Sequence, residues 1–363
     1  MHKVTLLTLG LVAVLSSCSQ RFDDSSLIRF DFKRISDVAP VDMTSQIVPE
    51  RLSFQQGRCF TRDTLFFSFL ESSSQYVLSV ADVRTDSLIG TFCPKGRSED
   101  EPLDVIPFID LFEEDGSIKS LFFSYLNNRF FMWDISGSLR EGRTLYDRVI
   151  PIKGEEKNGF LPAVSYYYLP GERIILQNTR QTISDWMVEP PTYDVYSVET
   201  GECERVFSPF ALYEGEETLG EDGLFGSKVY LSLDDCIKPT RDKLAFGMWF
   251  IPYLGVLDVN TGAVTGIRMD KYPGLDPDKR YCHFMDLECD DEFIYALYCG
   301  GEGDMQASTD LFIFDWDCDL LGKVRILGAH RICLNGDRLY LLNYATAKAY
   351  SLGVDEIKKT VHK

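Results

Sequence analysis

Positive charge is in short supply: 37 Lys and Arg stand against 56 Asp and Glu, for a formal net charge of -19. Phosphate-binding surfaces are built from clustered Lys and Arg, so a broad nucleic-acid interface is excluded and no nucleic-acid partner is expected. Long apolar runs are lacking too. Even the mostly apolar stretch Val4 to Leu15 has only 12 residues, short of the roughly 20 that a spanning helix needs. Sustained helical periodicity is missing after residue 25, and low-complexity sequence after residue 50. No GxGxxG, P-loop, HExxH or GxSxG pattern occurs, so no cofactor is implied and none is expected. What is present in quantity is apolar and aromatic material, 45% and 13% of the chain, which excludes a disordered polymer and supplies a large core.

The N-terminus combines a basic Lys3, the apolar stretch Val4 to Leu15 and an abrupt change at Ser16-Ser17-Cys18 to polar sequence, the pattern of a secretion signal. Leu15-Ser16-Ser17-Cys18 resembles the lipobox of bacterial lipoproteins: an aliphatic residue, two small ones, then Cys. That resemblance implies a signal peptide over 1–17, a diacylglyceryl group on the Cys18 sulfur, a palmitate-type acyl chain on the new amino terminus, and a lipidated tether over 18–26. Several buried acyl chains anchor a protein stably where one does not. Ser19 rather than Asp follows Cys18, which points to an outer membrane, with the periplasmic or cell-surface side left open. Asp23 and Asp24 weakly resemble the acidic stretch used for surface export in Bacteroides-like bacteria.

Of 10 cysteines, nine remain once Cys18 is set aside, an odd number scattered along the chain. That is no disulfide framework. Several lie in strand-like text (Y-C-H-F, A-L-Y-C, R-I-C-L), where Cys reads as a small buried hydrophobe.

Short apolar or alternating runs separated by Asp, Asn, Gly and Pro give the all-β signal. One phrase recurs six times: a strand ending in Asp or Ser, then a polar turn. It surrounds Asp82, Asp134, Ser197, Asp258, Asp315 and, in degenerate form, Ser351. Asp and Ser bond their own backbone at a bend, and Gly in E-T-G and N-T-G supplies positive φ. Apart from the last, the repeats are roughly 50–60 residues apart, a period that fits four-stranded units stacked in a ring. A β-sandwich would also show short strands, but not the same hairpin phrase six times. The expected architecture is therefore a six-bladed β-propeller with four-stranded antiparallel blades, one domain over 27–363. Its blades are placed at about 51–93, 104–152, 161–210, 228–269, 280–326 and 329–357. The sixth unit lacks a strand. The alternating segment 27–34 (L-I-R-F-D-F-K-R) is expected to complete it and close the ring, removing an exposed edge.

The loop Phe92 to Pro102 (F-C-P-K-G-R-S-E-D-E-P), the F-D-W-D phrase near the end and the lipobox together resemble the TolB-like six-bladed propeller lipoproteins of Bacteroides and related bacteria. In that family a strand runs into a Gly-rich, basic-then-acidic loop. Gly96, Arg97, Glu99 and Glu101 occupy the matching region, while Ser98 and Asp100 depart from it. Lys95 and Arg97 are the candidate ligand-binding residues, suited to a carboxylate or a sulfated sugar. The competing reading pairs them with Glu99, Asp100 or Glu101 to hold the turn between blades.

Candidate chemistry is sparse. His283, beside Cys282 and near Asp286, lacks a zinc-ligand framework and reads as a packed imidazole. His330 and Cys333 fall on opposite faces of a strand. Asp315, Asp317 and Asp319 resemble the start of a calcium loop, but Leu320 and Ile326 stand where Gly and Glu are required, leaving a hairpin turn. Glu216, Glu217, Glu221 and Asp222 form an acidic insertion whose carboxylates have no fixed separation, so it reads as a solvated loop. No catalytic residue and no metal ligand is assigned. The sequence favours a monomeric, non-catalytic envelope module binding a peptide, protein or glycan. The alternative is an envelope hydrolase or lyase with its active site in the central funnel.

Overall fold

A computed structural model describes residues 24–52, 54, 59–98, 100–153, 163–178, 190–211, 233–271, 281–302 and 307–361. Its strands form six sheets built on antiparallel meanders, arranged as the blades of an all-β propeller. The first blade comprises Cys59–Arg62, Leu65–Phe69, Tyr76–Asp82 and Ser87–Pro94. The second holds Asp110–Glu114, Ser117–Ser124, Arg129–Asp134 and Tyr146–Pro151, and the third Ala163–Leu169, Arg173–Asn178, Thr192–Ser197 and Cys203–Phe207. The fourth contains Leu233–Ile237, Lys243–Met248, Tyr253–Asp258 and Val264–Met269, and the fifth Tyr281–Cys289, Phe293–Glu302, Ser308–Asp315 and Leu320–Ala329. The sixth has Arg331–Asn335, Arg338–Asn343 and Lys348–Gly353 from the C-terminal end of the chain.

The ring is closed by an N-terminal strand, but not by the one expected. Val48–Glu50 pairs antiparallel with Lys348–Gly353 and completes the sixth blade. The segment 27–34 instead contributes to Asp31–Ile35, which lies parallel to Val264–Met269 as a fifth strand on the outer edge of the fourth blade. Val41–Asp42 does the same for the fifth blade. The physical reason is packing: Phe30 meets Phe246 edge-on at 5.7 Å and Phe32 meets Tyr253 at 5.1 Å, so this alternating face finds its apolar partners on blade four. Residues 31–50 thus form a strap across the outer rim of three consecutive blades.

The strap begins in a buried clamp. Asp24 is buried and accepts hydrogen bonds from Arg268 Nη2 at 3.1 Å and Tyr253 Oη at 3.1 Å. Asp24, which falls within the segment expected to be tether, thus packs as part of the propeller. Further along, Lys323 is buried between Asp37 at 3.1 Å and Asp310 at 2.8 Å, and Met43 is fully enclosed.

The recurrent phrase does the local work its chemistry suggests. Asp82 Oδ1 accepts from the backbone N–H groups of Arg84 and Thr85, and Asp258 Oδ1 from those of Asn260 and Thr261. Gly262 has φ +79°, and a Cβ there would fall 2.4 Å from the Phe207 ring, so backbone and packing both require glycine. Two places differ. Asp134 caps α1, Ile135–Glu141, by accepting from Gly137 N at 2.9 Å, so the turn of blade two expands into a helix. Ser351 lies within its strand and bonds Glu50 and Arg338; the chain then enters α2, Val354–Val361, where a blade segment was expected to run on to 357. Aromatic rings fill the space between and within blades, with Phe108 against Tyr166 at 4.9 Å and Phe67 against Trp133 at 6.1 Å.

Candidate functional site: the axial cavity

The first strand of every blade is innermost, and all six run the same way along the axis. They end at one face of the ring, called here the exit face; the fourth strands end at the opposite, entry face. A cavity of about 430 Å³ lies on the axis and is lined from all six blades. Phe60 and Arg62 come from the first, Phe108 to Glu113 from the second, Tyr167 and Pro170 from the third, and Asp235 to Arg241 (apart from Lys238) from the fourth. Asp286 to Cys289 and Arg331 to Leu334 supply the remainder. Its exposed lining residues, Glu113, Pro170, Pro239 and Thr240, end an inner strand or sit in the turn that follows one, so the mouth opens at the exit face.

Two guanidinium groups brace the wall. Arg241, in the first turn of blade four, reaches past blade three to Asp110 of blade two, with Nη1–Oδ2 at 2.6 Å and Nη2–Oδ1 at 2.9 Å. It also donates to the carbonyls of Tyr168 and Leu111, while the Tyr168 N–H donates to Asp110 at 2.8 Å. This is a bidentate pair with its remaining donors satisfied, the geometry in which a buried ion pair is tolerated. Arg331, at the start of blade six, spans blade five: its Nη1 lies 3.0 Å from Asp234 and 2.9 Å from Asp286. Burial works to lower Arg331, but the two carboxylates outweigh it and hold the group above its ordinary value. Its guanidinium also sits over the Trp249 ring, whose N–H donates to Asp234 at 2.6 Å.

Between the braces lies Asp235, buried, which accepts from Tyr167 Oη at 2.9 Å, from Ser165 Oγ at 2.5 Å and from Tyr193 Oη at 3.4 Å. Burial, with the Asp235 carboxylate beside it, pushes the Tyr193 phenol well above its usual range. Burial likewise raises the Cys236 and Cys289 thiols on the cavity wall, which keeps them protonated and poorly nucleophilic. At the mouth, Arg62 reaches Glu113 at 3.4 Å.

Lys95 and Arg97 do not join this site. They follow the fourth strand of blade one and so stand at the entry face. Lys95 Nζ donates to the carbonyls of Glu71 and Ser72, both at 3.3 Å, while Arg97 is exposed. Glu101 folds over Gly96, where a Cβ would lie 1.7 Å from its carboxylate oxygen. Glu99, the acidic insertion at 214–225, the signal segment and Cys18 fall outside the described residues.

His283 is fully buried, with Nδ1 2.9 Å from Tyr298 Oη, and burial lowers it to about 3. His330 stacks on Tyr344 with ring centroids 5.5 Å apart, whereas Cys333 meets Thr61 Oγ1 at 3.2 Å. Asp315 Oδ1 accepts from the N–H groups of Asp317 and Asp319, and Asp319 pairs with Lys33 of the strap at 2.7 Å, so this acidic run is a hairpin turn. Among the described residues no group of three or more His, Cys, Asp or Glu is placed to hold a metal ion.

Of the residues that build the cavity, only Asp286 and Cys333 stand in the candidate sequence patterns, and there for other chemistry. A usable signal existed: I-D-L-F at 109–112, L-D-D-C-I at 233–237, M-D-L at 285–287 and H-R-I-C at 330–333 each set a charge inside an apolar inner-strand run. A charge there needs a buried partner, and here the partners come from other blades.

No family model matches the sequence, and no curated protein does. Among solved structures, the chain is similar to a member of the DUF4221 family from Bacteroides vulgatus, at 11% identity and TM-score 0.51, over 85% of this chain and 97% of that one. It also matches U3-55K at 9% identity and TM-score 0.47, over 87% and 100% of the two chains. BamB from Moraxella catarrhalis follows at 8% and 0.38, over 81% and 70%. The latter two carry no further argument. The first is a likeness of fold, and it supports a six-bladed propeller similar to the Bacteroides DUF4221 structure without singling out a TolB-like relation.

Proposed function

We propose that this protein is a monomeric, lipid-anchored propeller of the bacterial cell envelope, held in an outer membrane through Cys18, which binds a protein, peptide or glycan without transforming it. The observation that carries the binding reading is the axial cavity: a mouth at the exit face, walls from all six blades, and Arg241 and Arg331 already committed to Asp partners within those walls. Such pairing holds a shape. A general acid or base instead needs a titratable group within reach of a reacting proton. Lys95 and Arg97 are a second proposed contact, at the entry face, for an anionic group.

The test uses the domain beginning at Asp24, immobilised and offered solubilised envelope proteins and a glycan panel. A saturable partner lost in Thr240→Trp, which fills the mouth, and kept in Arg97→Ala places binding at the cavity. The reverse pattern places it at the entry face. Turnover of a bound substrate that disappears in Asp235→Asn would replace this reading with a funnel hydrolase or lyase.

A further inference from the structure

The described lining of the cavity carries five carboxylates, Asp110, Glu113, Asp235, Asp286 and Glu288, against three guanidinium groups, Arg62, Arg241 and Arg331. Arg331 is shared with a further carboxylate, Asp234, which deepens the imbalance. Low-dielectric walls focus such a field along the axis, so the enclosed space favours a positive guest and penalises a negative one. The apolar part of the wall points the same way. Phe60 and Phe108 stand edge to face with centroids 5.6 Å apart, and Phe108 and Tyr167 at 5.3 Å, so aromatic rings line the cavity beside Asp235. Ring faces carry negative quadrupole potential and attract ammonium and guanidinium groups. A cavity of about 430 Å³ takes a side chain and its flanking backbone, not a folded domain.

We infer that the axial cavity receives a cationic side chain, Lys or Arg, presented by an extended segment of a partner protein. The aliphatic stem lies against Phe60, Phe108 and Tyr167 while the charged head meets Asp235 within and Glu288 nearer the mouth. This rests on the binding reading above and adds the chemical class of the guest.

The experiment titrates the domain beginning at Asp24 with blocked nine-residue Gly-Ser peptides carrying one central Lys, Arg, norleucine or Glu, followed by calorimetry. The Lys or Arg peptide should bind, the norleucine and Glu peptides should not, and affinity should fall as salt rises. Glu288→Gln, a partly exposed change that spares the core, and Asp235→Asn should each weaken binding about tenfold, close to the loss of one charge-assisted contact. Unchanged melting temperatures would show that the variants are folded. Binding of the norleucine or Glu peptide at this site, no binding of either cationic peptide, or cationic binding indifferent to both substitutions would each overturn the inference. The broader binding reading would stand or fall separately, on whether the envelope partner is lost in Thr240→Trp.

Discussion

Arg241 and Asp110 are 131 residues apart in sequence and meet face to face inside the ring, which makes them a sensitive test of how the cavity wall is held. Removing the cation alone leaves a buried carboxylate uncompensated, so Arg241→Ala should cost about 3–5 kcal/mol of stability. Pairing Arg241→Met with Asp110→Asn removes both charges and keeps an acceptor for the Tyr168 N–H, so this double variant should recover most of that loss. Urea titration of wild type, both single variants and the double variant measures the coupling directly; additive losses would show that the pair does not act as a unit. Such a partnership is invisible in sequence. The Asp82 and Asp258 turns were legible because each carboxylate bonds N–H groups two or three residues away. Nothing local ties Arg241 to Asp110.

At the scale of elements, the strap separates two tasks, edge addition and ring closure, of which the sequence pattern points only to a strand at 27–34. Asp31–Ile35 thickens an existing blade, whereas Val48–Glu50 closes the ring. A chain starting at residue 36 should keep the closing strand, stay free of aggregation and melt lower than one starting at residue 24, because it loses the Asp24 clamp and leaves Arg268 buried without that partner. A chain starting at residue 51 should expose the edge of Lys348–Gly353 and aggregate. Size-exclusion chromatography with thermal melts separates the three. Equal behaviour of the 36 and 51 chains would refute the assignment of closure to Val48–Glu50. That strand was hard to read because it is three residues long and contains Pro49, which lacks an N–H and is tolerated at a sheet edge. Of the alternating run at 27–34 only 31–34 is strand, since Leu27 ends a short 3-10 helix and Ile28 makes a single bridge; periodicity marks a strand without saying which blade it joins.

For the whole molecule, the propeller was legible because its repeat is a local hairpin used again and again, while the cavity arises only when six inner strands from distant parts of the chain converge. The anchor is tested separately: Cys18→Ala should abolish fatty-acid labelling and release the protein from the membrane fraction, and persistent labelling would reject the assignment. A lipid on Cys18 would also have a geometric consequence, through the Asp24 clamp. Only five residues, Ser19 to Asp23, separate the two, a leash of at most about 20 Å when fully extended. Asp24 is held by Tyr253 and Arg268, at the entry-face end of the fourth blade, opposite the mouth of the cavity. On so short a leash the ring could not turn over freely against the bilayer. Its entry face would stay toward the lipid and its mouth would look outward, so whatever enters the cavity would approach from the aqueous side.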